Sequence, residues 1–313
     1  MFFPVLFGVL LIVFTINYLT PGDPVVAVIG IDYTQEQYDA MEAQLGLDKP
    51  YLVQFFDYVK GVVTKFDLGT SYTNQRPVSE QILERMPLTL ELGTIGIVIA
   101  IILGIPFGII SATKQYSLVD YSVTIFSLFF ASMPNFWLAL MLIIIFSLKL
   151  GWFPATGAAT WKGWILPCIT LGLAPISTIA RQTRSSMLEV IRQDYITTAR
   201  AKGQTEHRII WKHALGNAMI PIITVVGFMV STIVGGSVII ENIFNFPGLG
   251  ALMMTAVTNK DYPMIQGTVL VISVFVCFIN LLVDIIYGFV DPRIKAQYLS
   301  GGKTRKKSKG KAG

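Results

Sequence analysis

A chain of 313 residues that is 53% hydrophobic and only 14% charged carries more apolar surface than a soluble domain of that size can bury, which excludes an ordinary water-soluble protein. Its net charge of +5 is unevenly distributed along the sequence. A bilayer core of about 30 Å takes roughly 20 helical residues to cross, and the stretches 2–19, 88–112, 119–148, 165–186, 216–240 and 264–290 meet that length. Outside barrels, only an α-helix pairs every backbone N–H and C=O in lipid, so the fold class is an all-α polytopic membrane protein with six transmembrane helices.

The first span begins almost at Met1, with no Lys or Arg before it. Tyr18-Leu-Thr-Pro-Gly-Asp-Pro24 makes a poor cleavage site, so residues 1–19 read as a membrane helix, not as a secretory signal. Residues 20–87 form the one sizeable polar segment between spans. In it Thr34 to Leu45 reads as a helix ended by Gly46. Pro50 to Val63 reads as a second helix, with Tyr51, Val53, Phe55, Phe56 and Val59 as its apolar surface. Pro77 to Pro87 then leads into span two. The segment is expected to form a small extracytoplasmic cap, either a linker packed on the helices or a surface that meets a substrate-binding protein.

Residues 88–290 hold the membrane core. Gly104-Ile-Pro-Phe-Gly108 predicts a close crossing of helices at two small residues, with a kink at Pro106. Pro134, Pro167 and Pro175 raise the same question of kinks in spans three and four. A charge at mid-bilayer is costly and usually faces protein or water. Asp284 is therefore expected to be capped or paired, Arg181 and Arg184 to mark the end of span four, and Glu91 and Glu241 to sit near outer ends within reach of water.

Orientation follows from where Lys and Arg lie. Gly22 to Met86 holds five basic and ten acidic residues, Arg181 to His213 seven and three, and Asp291 to Gly313 eight and one. The two basic regions are expected in the cytoplasm and the acidic one outside. With an even number of spans, both termini are cytoplasmic, and residues 291–313 become a basic cytoplasmic tail.

Between spans four and five, residues 187–215 form a polar insertion. Arg200, Lys202, Arg208 and Lys212 face only Asp194 and Glu206, and Gly203 interrupts the helical pattern. The break predicts two short helices at an angle, suited to a partner's groove. The run Asp194-Tyr-Ile-Thr-Thr-Ala-Arg-Ala-Lys-Gly203 resembles the cytoplasmic loop motif of ABC importer permeases, with Thr197, Thr198, Ala199 and Gly203 on the motif's Glu-Ala-Ala and Gly positions. The acidic residue is replaced by Thr197, and Ile220-Pro221 lies further from the glycine than in the general motif. Both departures resemble the dipeptide, oligopeptide and nickel subfamily.

The same resemblance covers residues 4 to 295. Thr20-Pro-Gly-Asp-Pro24, Leu45-Gly-Leu47, Asp67-Leu-Gly-Thr-Ser71, the run from Gly235 to Gly250, Asp261-Tyr-Pro263, Asn280 to Tyr287 and Asp291-Pro-Arg-Ile294 are similar to family blocks in order. Members usually carry a short basic stretch before the first helix, which this sequence lacks. The resemblance implies a type I ABC importer permease architecture in the cell membrane. It implies as partners a second homologous permease, two ATP-binding subunits and an extracytoplasmic solute-binding protein, with membrane lipid around them and no nucleic acid. ATP and Mg are then bound by partner subunits and not by this chain. Thr197, Thr198, Ala199, Arg200, Ala201, Lys202, Gly203 and His207 become the ATPase-coupling residues, with Ala199 and Ala201 allowing close approach to the partner. Peptides are the leading cargo by resemblance, and nickel or a nickel chelate the alternative.

Enzymatic readings are thin. Gly301-Gly-Lys-Thr304 mimics the end of a phosphate-binding loop, but Gln297 stands where the full pattern needs glycine. His207 and His213 are six residues apart, wrong for one helical face, and Cys168 and Cys277 lie within spans as packing residues. A secondary transporter would call for internal repeats and more intramembrane charge, and a channel for a polar pore ring; neither explains the basic loop. The expected mechanism is alternating access, with ATPase motion passed through the 194–216 loop to spans four and five.

Overall fold

A computed structural model describes residues 2–290, and within them the side chains of residues 2, 3, 234, 284 and 287–290 are left out. The basic tail, its Gly-Gly-Lys-Thr sequence and the expected role of Asp284 therefore fall outside the described part. The helices are α1 Phe2–Leu19, α2 Pro24–Ile29, α3 Gln35–Leu45, α4 Tyr51–Lys65, α5 Val78–Thr113, α6 Leu118–Ser132, α7 Asn135–Leu142, α8 Trp161–Ile191, α9 Asp194–Ala201, α10 Glu206–Arg208, α11 Leu215–Ile243, α12 Leu249–Thr258 and α13 Tyr262–Val290. π-helical turns extend α7 through Ile143–Lys149 and join α10 to α11 through Ile209–Ala214. Among the described residues the β-structure is a single antiparallel bridge between Thr70 and Pro77.

Among the described residues, four helical stretches are long and apolar enough to cross a membrane, Val78–Thr113, Trp161–Ile191, Glu206–Ile233 and Tyr262–Val283. A fifth exists if the bent pair Leu118–Ser132 and Asn135–Lys149 is one span. The stretch 119–148, where the sequence raised the question of a kink at Pro134, turns through 104° between its two helices. The cause is local: Met133 precedes Pro134, and proline drives its predecessor out of the α region, here to φ −83° and ψ 131°. α1 is shorter in its apolar run.

The chain divides into two compact units. Among the described residues, the first comprises 2–94, 139–168 and 234–277, and the second 95–138, 169–233 and 278–290. In the first, the two helices expected between residues 34 and 63 form. Thr34 and Gln37 close a reciprocal capping box at the start of α3, and Gly46 ends it at φ 69°. α4 packs on α1 through an aromatic cluster: Phe55 meets Phe7 and Phe14, and Tyr51 meets Phe14 and Tyr18. The predicted apolar surface of α4 is corrected in its register, since Phe55 is buried while Val53 and Phe56 are exposed.

Two sequence blocks far apart in the chain meet in this unit. Asp261, 2% exposed, accepts from the Ser71 hydroxyl and from the backbone N–H groups of Tyr72 (3.1 Å) and Thr73 (3.4 Å). It also caps the start of α13 by accepting from Met264 N–H at 3.4 Å. Leu68, Val78, Ile82, Leu249, Ala256, Met264 and Leu270 form the apolar core beneath.

Glu241 overturns its expectation: it is fully buried, not near water. Its carboxylate accepts from the N–H groups of Gly250 (2.7 Å) and Ala251 (3.4 Å) in the first turn of α12, where the helix dipole favours an anion. Thr89 accepts from Leu249 N–H at 2.8 Å in the same turn. A Cβ on Gly248 would lie 2.4 Å from the Glu241 carboxylate, and one on Gly250 would lie 2.3 Å from the Val238 backbone, so both glycines are sterically required. Glu91, by contrast, is exposed.

In the second unit, the Gly104–Gly108 crossing is present between α5 and α8. A Cβ on Gly108 would lie 2.4 Å from Thr183 and 2.6 Å from the Ala180 carbonyl, and one on Gly104 would lie 3.0 Å from Ile176 and Ile179. Small residues four apart thus let the backbones approach. Gly227 of α11 does the same against Val283 of α13, where Ser231 also bonds Asn280 at 2.7 Å.

Candidate functional site: the basic helix-turn-helix insertion

The insertion lies wholly in the second unit and begins where α8 ends, five residues past the predicted limit of span four. α9 carries Asp194 in its first turn and Arg200 in its last, the arrangement the helix dipole favours. Lys202 caps it, and Gly203 follows at φ 75°. Gly203 N–H donates to the Arg200 carbonyl at 2.9 Å, and Gln204 N–H to the Ala199 carbonyl at 3.3 Å. These two bonds complete a Schellman motif, which needs a left-handed residue at the position Gly203 holds. No atom stands within 4 Å of a Cβ placed there, so the glycine is required by conformation and not by space.

α10 leaves the turn and continues through π-helical turns into α11. Arg200 bridges to Glu206 across the turn, with Nε at 2.7 Å and Nη2 at 3.3 Å from the two carboxylate oxygens. His213 shares a 2.8 Å hydrogen bond with Gln204, and Asn217 donates to the Tyr195 hydroxyl at 2.9 Å. Both contacts fasten α9 and its turn to the beginning of α11.

The insertion has an inner and an outer face. Ile196, Ile209 and Ala214 are fully buried in a core with Ile109, Ala112, Met187, Ala218 and Ile222. Ala199, expected to allow close approach to a partner, is half-buried and packs against that same core. Thr197, Thr198, Arg200, Ala201, Lys202, Gly203 and His207 are exposed, and so are Arg208, Trp211 and Lys212. His207 lies over the Trp211 ring at 6.2 Å between centroids. The structure therefore offers a basic outer surface clamped through its inner face to the ends of three long helices, α5, α8 and α11.

Sequence reading missed the ion pair just above this core. Arg184, expected to mark the end of span four, donates from Nε (2.7 Å) and Nη2 (2.8 Å) to both oxygens of Asp120, which is 2% exposed. Asp120 also accepts from the Ser111 hydroxyl and from Tyr116 N–H at 3.0 Å. Ser117 caps α6 by accepting from Asp120 N–H at 3.3 Å. That Ser-x-x-Asp spacing, a helix-start signature, was the available signal for Asp120. Arg181 is exposed.

The family described as binding-protein-dependent transport system inner membrane component matches residues 104–296, and its N-terminal counterpart matches residues 3–93. The chain is 42% identical to the dipeptide transport system permease protein DppB of Alkalihalophilus pseudofirmus, over 93% of this chain and 96% of that protein. It is 40% identical to the oligopeptide transport system permease protein AppB of Bacillus subtilis, over 93% and 96%. The dipeptide permease DppB of Escherichia coli is 39% identical, over 93% and 95%. Among solved structures, the inward-facing MetNI methionine ABC transporter aligns at a TM-score of 0.55 with 20% identity, covering 68% of this chain and 97% of that one. An amino acid ABC transporter aligns at 0.54 with 15% identity, covering 67% and 94%.

Proposed function

The chain belongs to the family of binding-protein-dependent transport system inner membrane components, and from that premise we propose that it forms, with a second homologous permease, the path by which di- or oligopeptides cross the membrane. It is a multi-pass membrane permease component of an ABC importer and not itself an enzyme. ATP and Mg are handled by two separate ATP-binding subunits, and a solute-binding protein delivers cargo from outside. In this reading α1 and the bent pair α6–α7 complete a set of six spans. Both termini face the cytoplasm, because the basic insertion and the basic tail are retained there.

The observation that carries the coupling role is the two-sided insertion. Its basic outer face is free to seat in an ATPase, while Ile196 and Ile209 fix its inner face to the ends of α5, α8 and α11. A displacement of the outer face therefore moves those helix ends. A ligand shifts such an equilibrium only through its differential affinity for the two states, so nucleotide must favour one arrangement of the ATPases.

The test is reconstitution of the full importer in vesicles, with uptake of a dipeptide, a pentapeptide and nickel measured beside ATP hydrolysis. Peptide uptake with peptide-stimulated hydrolysis is expected; uptake of nickel alone would replace the cargo assignment. Ala201→Trp, on the exposed face, is expected to abolish transport at normal membrane levels while unstimulated ATP hydrolysis persists. Wild-type stimulated uptake in that variant would remove the insertion from the coupling path.

A further inference from the structure

α4 carries three stripes at helical spacing. Tyr51, Phe55, Tyr58 and Val62 form the first, turned toward α1. Leu52, Phe56, Val59 and Val63 form the second, entirely apolar, and Leu52, Phe56 and Val63 are 61%, 61% and 76% exposed. The third, headed by Val53, continues through Asp57, Lys60 and Thr64, all exposed, with Asp57 held by Lys49 at 2.8 Å. A cap standing in water would bury the first stripe and leave the other two polar. Here the apolar arc is twice as wide as its contact with α1.

The ring contacts place α4 beside α1 and not beyond its end. Phe55 lies 5.9 Å from Phe7 and 5.4 Å from Phe14, while Tyr51 lies 4.9 Å from Tyr18. These partners span Phe7 to Tyr18, about 17 Å of helix axis at 1.5 Å per residue. Phe56 packs edge-on against Phe55 at 5.6 Å. Phe55 in turn touches Phe7 of α1, itself exposed, so the apolar stripe joins the exposed apolar surface of α1 at that residue.

We infer that α4 lies in the outer lipid leaflet as an interfacial helix, with Leu52, Phe56, Val59 and Val63 against acyl chains and Asp57, Lys60 and Thr64 toward headgroups and water. The occupant is lipid because the stripe continues the apolar surface of α1, so the inference rests on α1 being a membrane helix. Residues 20–87 are then a segment partly sunk in the bilayer and not wholly an extracytoplasmic cap. The long Lys60 side chain, next to the apolar stripe, reaches the headgroups by snorkelling.

The test uses the full importer in lipid nanodiscs, with Cys168→Ala and Cys277→Ala as background. Spin labels are placed singly through Phe56→Cys, Val63→Cys, Asp57→Cys, Thr64→Cys and Ile12→Cys. Relaxation by oxygen, which concentrates in lipid, is compared with relaxation by a water-soluble nickel chelate. Positions 56 and 63 are expected to favour oxygen several-fold, and 57 and 64 to favour the chelate. Chelate access at 56 and 63 with oxygen preference at 12 would overturn the inference alone; chelate access at 12 as well would overturn the membrane reading of α1. Exclusion of both reagents at 56 and 63 would assign the stripe to a protein partner and likewise overturn lipid contact. Should a label at 56 abolish uptake, Leu52→Cys reports the same stripe.

Discussion

Asp261 in the first unit and Asp120 in the second are buried to the same degree, yet the two regions neutralise them by different means. Asp261 is held by neutral donors: one hydroxyl and the backbone N–H groups of the 71–73 turn and of α13. Glu241, in that same unit, is likewise held by the N–H groups of α12. Asp120 is neutralised by a full charge, Arg184, 64 residues further along the chain. Backbone donors belong to the elements they cap and cannot leave without unfolding a helix end. A guanidinium on a flexible stem can leave, at the cost of stranding two charges. The buried carboxylates of the first unit are thus held by caps, and Asp120 of the second by an ion pair near the helix ends that carry the basic insertion.

The comparison breaks most readily at the ion pair. Arg184→Met strands Asp120 in a buried site, and a loss of about 3–5 kcal/mol is expected, visible as reduced membrane levels and a lowered Tm of the purified complex. Adding Asp120→Asn should recover much of that loss, because the uncompensated charge is then gone. Equal losses in the single and double variants would mean that packing, not charge, makes Arg184 necessary.

Glu241→Ala tests the capped side. It leaves the Gly250 and Ala251 donors without a partner, at an expected cost of about 1–3 kcal/mol. Glu241→Gln, which keeps an acceptor, should cost less. If the glutamine variant is as unstable as the alanine one, the negative charge at the α12 start matters more than the hydrogen bonds.

Gly203→Val places a β-branched residue at φ 75°, with expected local strain of about 1–2 kcal/mol. Membrane levels and Tm should change little, while substrate-stimulated ATP hydrolysis falls. Gly203→Asn, which tolerates the left-handed region better, should retain part of the coupling. Identical behaviour of the two variants would show that the turn's conformation is not what the ATPases read.

The smallest effect is expected from Glu206→Gln. Its bond to Arg200 joins two exposed side chains, and such pairs are worth about 0–1 kcal/mol and fade with salt. Tm should be unchanged within error and coupling largely kept. A large loss of coupling at unchanged stability would identify Glu206 as a contact to the partner, not a brace for the turn.

Much of this architecture was legible before any coordinates. The apolar runs located the long helices, because only an internally bonded helix is tolerated in lipid, and the Gly46 and Gly203 helix ends followed from glycine's freedom at positive φ. The spacing of Gly104 and Gly108 announced a close crossing for the same kind of reason: four residues return to one helix face. The partners in such contacts are set by the fold and not by spacing. The sequence could not say that Asp120 meets Arg184, that Asp261 closes the 71–73 turn from 190 residues away, or that Glu241 is dry. Nor could it tell which face of α4 turns inward, because a helix rich in apolar residues carries more candidate faces than one neighbour can cover, or that Ala199 of α9 packs inward. Ala199 beside its own core and Phe56 outside it are decisions of tertiary packing, made by the elements that arrive from elsewhere in the chain.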